Sequence, residues 1–390
     1  MGTRKIIQKE YPINKNNMKI CFIGTYDKNY TGNKIVLEGL LRNKVKVSEV
    51  NAEVKLTRLD SKKDMTWMNM AKRLAKKYRF AVVVGKNIDK IKNSDIFYVG
   101  YPGHMDVLLV YPLAKTFNKK IAFAPVISFY SGFSDEQGIL NKGSVMATIS
   151  KYGETLVYKC VDLVLPDTPY QKEFFQKTFN IPERKLRVLP IGADDKYYKH
   201  TPYKNKSKKI NVVYYGLYSP IHGVEYIIEA ANLLKNDRDI KFTFVGQGNT
   251  FEENYNRAQK LHLENVEFFH DIPVEEHPAI IEKADIFLGF LEKHPTVERV
   301  IPNKVYQGLA LGKVVVTTDV PVIRSIFTHK ENMYFTKPAS AEELAKAIKE
   351  LKEKPVLRKK IADNGYALFK KKFTPKAVGN QLLHFMEEVI

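Results

Sequence analysis

The chain has 390 residues, 44% hydrophobic and 27% charged, proportions that exclude a disordered, fibrous or collagen-like chain and leave room for two domains. Lys and Arg total 63 against 43 Asp and Glu, a formal net charge of +20, and the surplus is uneven: residues 1–200 hold 35 basic and 19 acidic side chains, residues 201–390 hold 28 and 24. That excess in the first half points to an anionic partner, whether a membrane face, nucleic acid or a phosphorylated substrate, and no run approaches the ~20 uncharged residues of a membrane span.

Residues 1–17, with Lys5, Lys9, Glu10 and Lys15, lack the apolar core of a signal peptide and read as a leader. From Met18 onward, short apolar runs alternate with segments of helical periodicity. Met18 to Gly24 predicts a strand and Asn33 to Leu41 the helix after it. Met68 to Arg79, behind Trp67, puts Met70, Leu74 and Tyr78 on one helical face and Lys72, Arg73, Lys76 and Lys77 on the other. Such a helix either packs on a sheet or lies on an anionic membrane. Further strands are expected at Phe80 to Val84, Ile96 to Val99, Ile121 to Ile127, Val161 to Leu165 and Arg187 to Ile191, several of them ending in Gly or Pro. Cys21 and Cys160 lie in apolar runs and read as buried free thiols of a reducing compartment.

Residues 201–209, basic and broken by Pro202, read as an exposed linker between a domain at 18–200 and another at 210–372. The second domain repeats the pattern, with strands at Ile210 to Tyr215, Ile240 to Val245, Val266 to Phe269, Asp285 to Phe290 and Lys313 to Thr318. Residues 373–390 are expected to form a helix that packs back on the first domain. The pattern predicts an α/β protein of two doubly wound, Rossmann-like domains, with function in a cleft where the carboxyl ends of their strands face each other.

The most informative stretch runs from Val300 to Val316. Pro302 suits the start of a helix and Gly312 its end, and a β-branched strand follows. The helix would open at a strand end and point unpaired N–H groups into the cleft, an anion site to which Lys304 adds a full charge and Gln307 an amide one turn deeper. An ordinary cleft-lining helix with a solvated Lys fits the same residues. Gly216 and the Gly246-Gln247-Gly248 turn fall at two further strand ends, where backbone can approach a ligand closely.

Asn303-Lys304-Val305-Tyr306-Gln307-Gly308-Leu309-Ala310-Leu311-Gly312-Lys313 resembles the donor-binding motif of family-four retaining glycosyltransferases of the GT-B fold. Tyr215-Gly216-Leu217 through His222-Gly223 is similar to that family's phosphate-binding loop, and Phe244 to Gly248 to its next glycine turn. In the first half Gly24-Thr25-Tyr26, Gly100 to His104, Asp167-Thr168 and Leu189 to Asp194 are similar to the family as well. The resemblance implies transfer of a sugar from a UDP- or GDP-linked donor to a glycan or lipid-linked acceptor, with retention and with no metal or other cofactor required. It implies that Lys304 and the amides around Asn303 hold the diphosphate, that Gln307 bonds the ribose, and that Gly216, Gly246 and Gly248 let loops close over the nucleotide. Ile272 would contact the base, His104 the transferred sugar as the catalytic-site histidine, and Gly24 and Tyr26 would form the facing loop. Tyr101, Asp106 and Asp135, near strand ends of the first domain, are candidates for orienting an acceptor hydroxyl, although an Asp at such a place is more often a helix cap or turn residue.

Two departures stand out. The family usually has Glu where Gln307 stands, and a neutral amide loses the charge assistance that roughly doubles such a hydrogen bond. Its phosphate loop usually carries Arg and Lys where Leu217 and His222 stand, leaving neutralisation to Lys304, Arg299 and a protonated His222. Asp237-Arg238-Asp239, the one Asp-x-Asp, precedes a strand and reads as a surface turn rather than a metal site. The expected protein is thus a cytoplasmic enzyme, peripheral on the inner membrane face if its basic half docks there. A non-catalytic relative and a sugar-nucleotide epimerase stay open as alternatives, with nucleic-acid binding last because only charge supports it.

Overall fold

The computed structural model describes residues 18–52, 79–131, 144–203, 209–270, 273 and 276–390. The basic segment 68–78, Asp135, Ile272, the leader and linker residues 204–208 lie outside them. The described residues divide into two compact units, one comprising residues up to Ile191 with Pro375–Ile390, the other Gly192–Thr374.

The N-terminal unit holds β1 (Lys19–Gly24), α1 (Thr31–Arg42), β2 (Lys46–Asn51), β3 (Ile96–Val99), α2 (His104–Thr116), β4 (Lys120–Phe123), α3 (Val145–Cys160), β5 (Leu163–Val164) and α4 (Pro169–Phe179). The strands form one parallel sheet in the order β2-β1-β3-β4-β5. All its strands but the edge strand β2 are buried on both faces, as helices on two sides require. Ile35, Val36 and Leu40 of α1 cover one face, and the other is covered by α2, α3 and a helical stretch at 79–92. Cys21 lies in the core, where burial pushes its thiol up to about 12, and Cys160 is half-buried; both are free.

The C-terminal unit holds β6 (Ile210–Tyr215), α5 (Val224–Leu233), β7 (Ile240–Val245), α6 (Phe251–Lys260), β8 (Val266–Phe269), β9 (Ile286–Leu288), α7 (Asn303–Ala310), β10 (Val314–Thr318), β11 (Tyr334–Thr336), α8 (Ala341–Glu353) and α9 (Pro355–Lys372). Its parallel sheet runs β11-β10-β9-β6-β7-β8. The last helix, α10 (Pro375–Glu387), belongs to the N-terminal unit: Val378, Leu382 and Met386 join the α1 side of its core. Backbone meets backbone there, since a Cβ on Gly39 would come within 2.3 Å of the Pro375 carbonyl.

Two strand expectations need correction. Phe80 to Val84 is helical, with Phe80 and Ile91 three turns apart reaching the same core; a short β-branched run does not separate strand from helix without its neighbours. Arg187 to Ile191 forms no strand: Leu186 makes a single bridge with Val164, and although Leu189 N–H reaches the Pro166 carbonyl, Pro166 and Pro190 have no N–H to extend a ladder. The short strands β2 and β11 went unpredicted.

Candidate functional site

In both sheets the chain reverses its direction of progress beside the first strand, between β1 and β3 and between β6 and β9, and ligands of open α/β sheets bind at the carboxyl ends there. In the C-terminal unit β6 ends in Gly216 and β9 leads to Gly289 and Phe290. The loop after β9 returns through Pro302, extended at ψ 146°, into α7. No side chain caps this helix, and Val305 N–H bonds the Pro302 carbonyl at 2.9 Å. The Asn303 and Lys304 amides, at the positive end of the helix, have no backbone partner among the described residues.

Lys304 is only 5% exposed. Its Nζ sits 4.0 Å from the centre of the Tyr214 ring and 6.0 Å from that of Phe290, and 3.4 Å from His222 Nδ1. No carboxylate pairs with it among the described residues, and burial holds its ammonium well below the ordinary lysine range. Aromatic faces stabilise a cation but leave its charge unbalanced. Gly216, at φ +136°, lies against the end of this side chain: a Cβ there would stand 3.1 Å from Lys304 Cε. Gly246, at φ +127°, backs onto Gly216, with room for no side chain because its Cβ would fall 2.1 Å from the Gly216 carbonyl oxygen. Gly248 packs on the Tyr218 backbone in the same way. The loops after β6 and β7 are therefore joined by backbone contact, and the Lys304 side chain lies against the first of them.

Gln307, one turn along α7, is buried, and its amide makes no hydrogen bond among the described residues. Asn303 and Arg299 are half-buried nearby in sequence. His222 ends a 3-10 turn (Pro220–His222), with Nδ1 2.8 Å from the Tyr214 hydroxyl, which itself donates to the Leu217 carbonyl. Tyr214 and Phe290, the walls of the Lys304 seat, were not singled out from sequence, because an aromatic in or beside a buried strand reads first as core. Asp237 and Asp239 both hold Lys352, at 2.6 and 3.5 Å.

The same strand ends in the N-terminal unit are wired differently. Asp106, fully buried in the first turn of α2, accepts from Thr25 N–H at 2.6 Å and from the Thr25 hydroxyl at 2.8 Å, and its carboxylate packs against Gly24. Tyr26 is turned into the core on Phe22, with its hydroxyl donating to Glu49 at 2.9 Å. Tyr101 is half-buried; its N–H and carbonyl are both bonded by the Asn33 amide. His104 is 1% exposed, its ring tilted against Phe129, with Nδ1 2.9 Å from the Pro102 carbonyl and Nε2 3.3 Å from Glu154. Glu154 also accepts from Ser128 at 2.9 Å, the Tyr130 N–H at 3.0 Å and Tyr158. Burial alone would raise the Glu154 carboxyl, but the His104 ring and these donors outweigh it and hold it below the ordinary range. Both nitrogens of His104 thus face protein groups. One carboxyl in this unit stands apart: Asp167 is buried, its Oδ1 has no partner among the described residues, and it borders a cavity of about 20 Å³, room for one water. Burial pushes it up to about 7.

Residues 197–368 match the model of the family described as glycosyl transferases group 1. WcaI of Escherichia coli, provisionally named a colanic acid biosynthesis glycosyl transferase, is 33% identical over 106 residues, 27% of this chain and 25% of that protein. The alpha-D-kanosaminyltransferase of Streptomyces kanamyceticus is 23% identical over 254 residues, 62% of this chain and 64% of its own. The chain thus spans less than two thirds of the length of either curated relative. HepE from Anabaena, solved in complex with UDP, superposes with a TM-score of 0.65 at 13% identity, covering 95% of this chain and 100% of that one. That likeness defines the fold: two parallel-sheet, Rossmann-like units of GT-B architecture.

Proposed function

We propose that the protein is a glycosyltransferase that moves a sugar from a nucleoside-diphosphate donor onto a glycan or lipid-linked acceptor, with retention at the anomeric carbon. The observation that carries this reading is the seat of Lys304, a buried ammonium with no carboxylate beside it, placed at the uncapped start of α7 and faced by the glycine at the end of β6. A diphosphate supplies the missing charge, and the same cation and helix end stabilise it as it departs, without help from a metal. Gln307, with its amide unspent, is the group we assign to the ribose hydroxyls, and His222 can share the diphosphate when protonated. HepE, solved in complex with UDP and with UDP-glucose, supports UDP as the nucleotide. Tyr101 and Asp106 we assign to shaping the acceptor side, and His104 to positioning the Pro102 loop. The two free thiols suit the cytoplasm, where we place the enzyme.

A thermal-shift panel of UDP, GDP and their sugar conjugates, with and without magnesium, tests the reading. Ligand at about 100 times its dissociation constant adds ~2.7 kcal/mol, and a selective shift that needs no magnesium is expected. No response to any nucleotide would sink it. Gln307 favours a second reading, a non-catalytic relative that binds donor without turnover. Gln307→Glu should then gain transferase activity from none, whereas in an active enzyme it should keep or modestly raise the rate.

A further inference from the structure

A second surface lies on the N-terminal unit, independent of the donor site. The helical stretch at 79–92, α2 and α3 share one face of the sheet, with Phe80, Ile91, Val107, Ala114 and Val157 in a single core cluster. On α3 the buried side chains Ala147, Glu154, Val157 and Tyr158 define the inner side. Opposite them Val145, Ile149, Tyr152 and Leu156 fall at steps of four, three and four residues, which places them in one stripe along the helix. They are 75%, 58%, 72% and 53% exposed. Lys159 is the only charged side chain among the exposed positions of this helix. Beside it α2 presents Met105, 58% exposed, and Leu109, 43% exposed. A surface helix normally turns charge outward, and a contiguous apolar patch of this kind marks an interaction site.

Charge selects the occupant. The three helical segments carry seven basic side chains, Lys86, Lys90, Lys115, Lys151 and Lys159 among them. Of their three acids, Asp106 and Glu154 are buried against Thr25 and His104, and Asp89 alone is exposed. An apolar stripe flanked on its own helix by Lys151 and Lys159, with a tyrosine in its middle and on a sheet face whose helices are basic, matches the boundary between acyl chains and anionic headgroups. We propose that this face docks the protein on an anionic lipid bilayer, with the α3 stripe at the acyl boundary and the flanking lysines on the headgroups. The surface differs from the 68–79 segment that sequence alone marked as amphipathic and basic.

Flotation of the full chain with vesicles of phosphatidylcholine, with or without phosphatidylglycerol at roughly one lipid in three, tests it. Binding is expected only with the anionic lipid and should weaken as salt is added. The double variant Ile149→Glu, Leu156→Glu should reduce binding at least about tenfold, since it removes apolar area and adds like charge to the lipid. Lys151→Glu with Lys159→Glu should act in the same direction. Both variants should melt, and respond to UDP, as the parent does. The proposal is overturned if the stripe variant binds as the parent does, if neutral vesicles bind equally well, or if the parent sediments as a dimer that the variant dissolves. A sharply lower melting temperature for the stripe variant would also overturn it, since the chain itself would then be covering the stripe. A missing UDP response in parent and variants alike would count against the donor assignment and leave this one standing.

Discussion

The two units place polar side chains at the same point of the same architecture, beside the strand where chain progression reverses. In the N-terminal unit nearly every such group is answered from within: Asp106 by Thr25, Tyr26 by Glu49, His104 by Glu154 and the Pro102 carbonyl. In the C-terminal unit Lys304 has no counter-charge and the Gln307 amide no partner among the described residues. On the function proposed above, the second set is left for the donor, because unbalanced burial of a cation is costly and a bound anion offsets it.

Substitutions in the two places should therefore move different quantities. Glu154→Gln removes a buried carboxylate that serves four donors, and the N-terminal unit should lose roughly 3 kcal/mol in a denaturant titration while UDP affinity stays put. Glu154 has a lowered pKa, so its contribution is present above the ordinary carboxylate range and disappears as pH falls through the folded value. Lys304→Met should do the reverse. Calorimetry should find UDP affinity about a hundredfold weaker, ~2.7 kcal/mol, with stability at neutral pH unchanged or higher because an unpaired buried charge has gone. A variant that bound UDP like the parent would remove Lys304 from the site.

Asp167 breaks the pattern of its unit, and pH exposes it. Its carboxyl is raised from the ordinary 3.8 to about 7, so at low pH it is protonated in both states and has no effect. Between those two values the unfolded chain ionises first and the folded unit loses stability, a loss complete above about 7. Allowing for relaxation around the site, about 2 kcal/mol should be at stake, and Asp167→Asn should flatten the pH dependence of unfolding across this range. The smallest effect belongs to Gly216→Ala. A φ of +136° and a Cβ 3.1 Å from Lys304 should together cost about 1 kcal/mol of stability and weaken UDP binding several-fold, measured in the same titrations.

What the sequence revealed tracks how local each signal is. β3, β6, β7 and β8 begin and end where their apolar runs do, because a strand buried on both faces needs an unbroken run and a turn residue after it. Phe80 to Val84 has the composition of a strand and the contacts of a helix, and only the core it meets decides. Lys304 was legible as a lysine in the first turn of a helix because its proline and its helix lie within a few residues of it, whereas Tyr214 and Phe290 beside it were not. Nor were the contacts of Asp106 and Tyr26. Their partners, Thr25 and Glu49, stand 81 and 23 residues away, and no spacing rule joins them.

The return of α10 to the first unit bears on how the chain is made. Residues up to Ile191 leave the ribosome first, yet α1 keeps an apolar flank until Val378, Leu382 and Met386 arrive nearly two hundred residues later. The unit that begins the chain is thus the last that can be completed, with the whole C-terminal sheet synthesised in between. Gly39 and Gly379, whose backbones touch, are the final fit in that order of assembly.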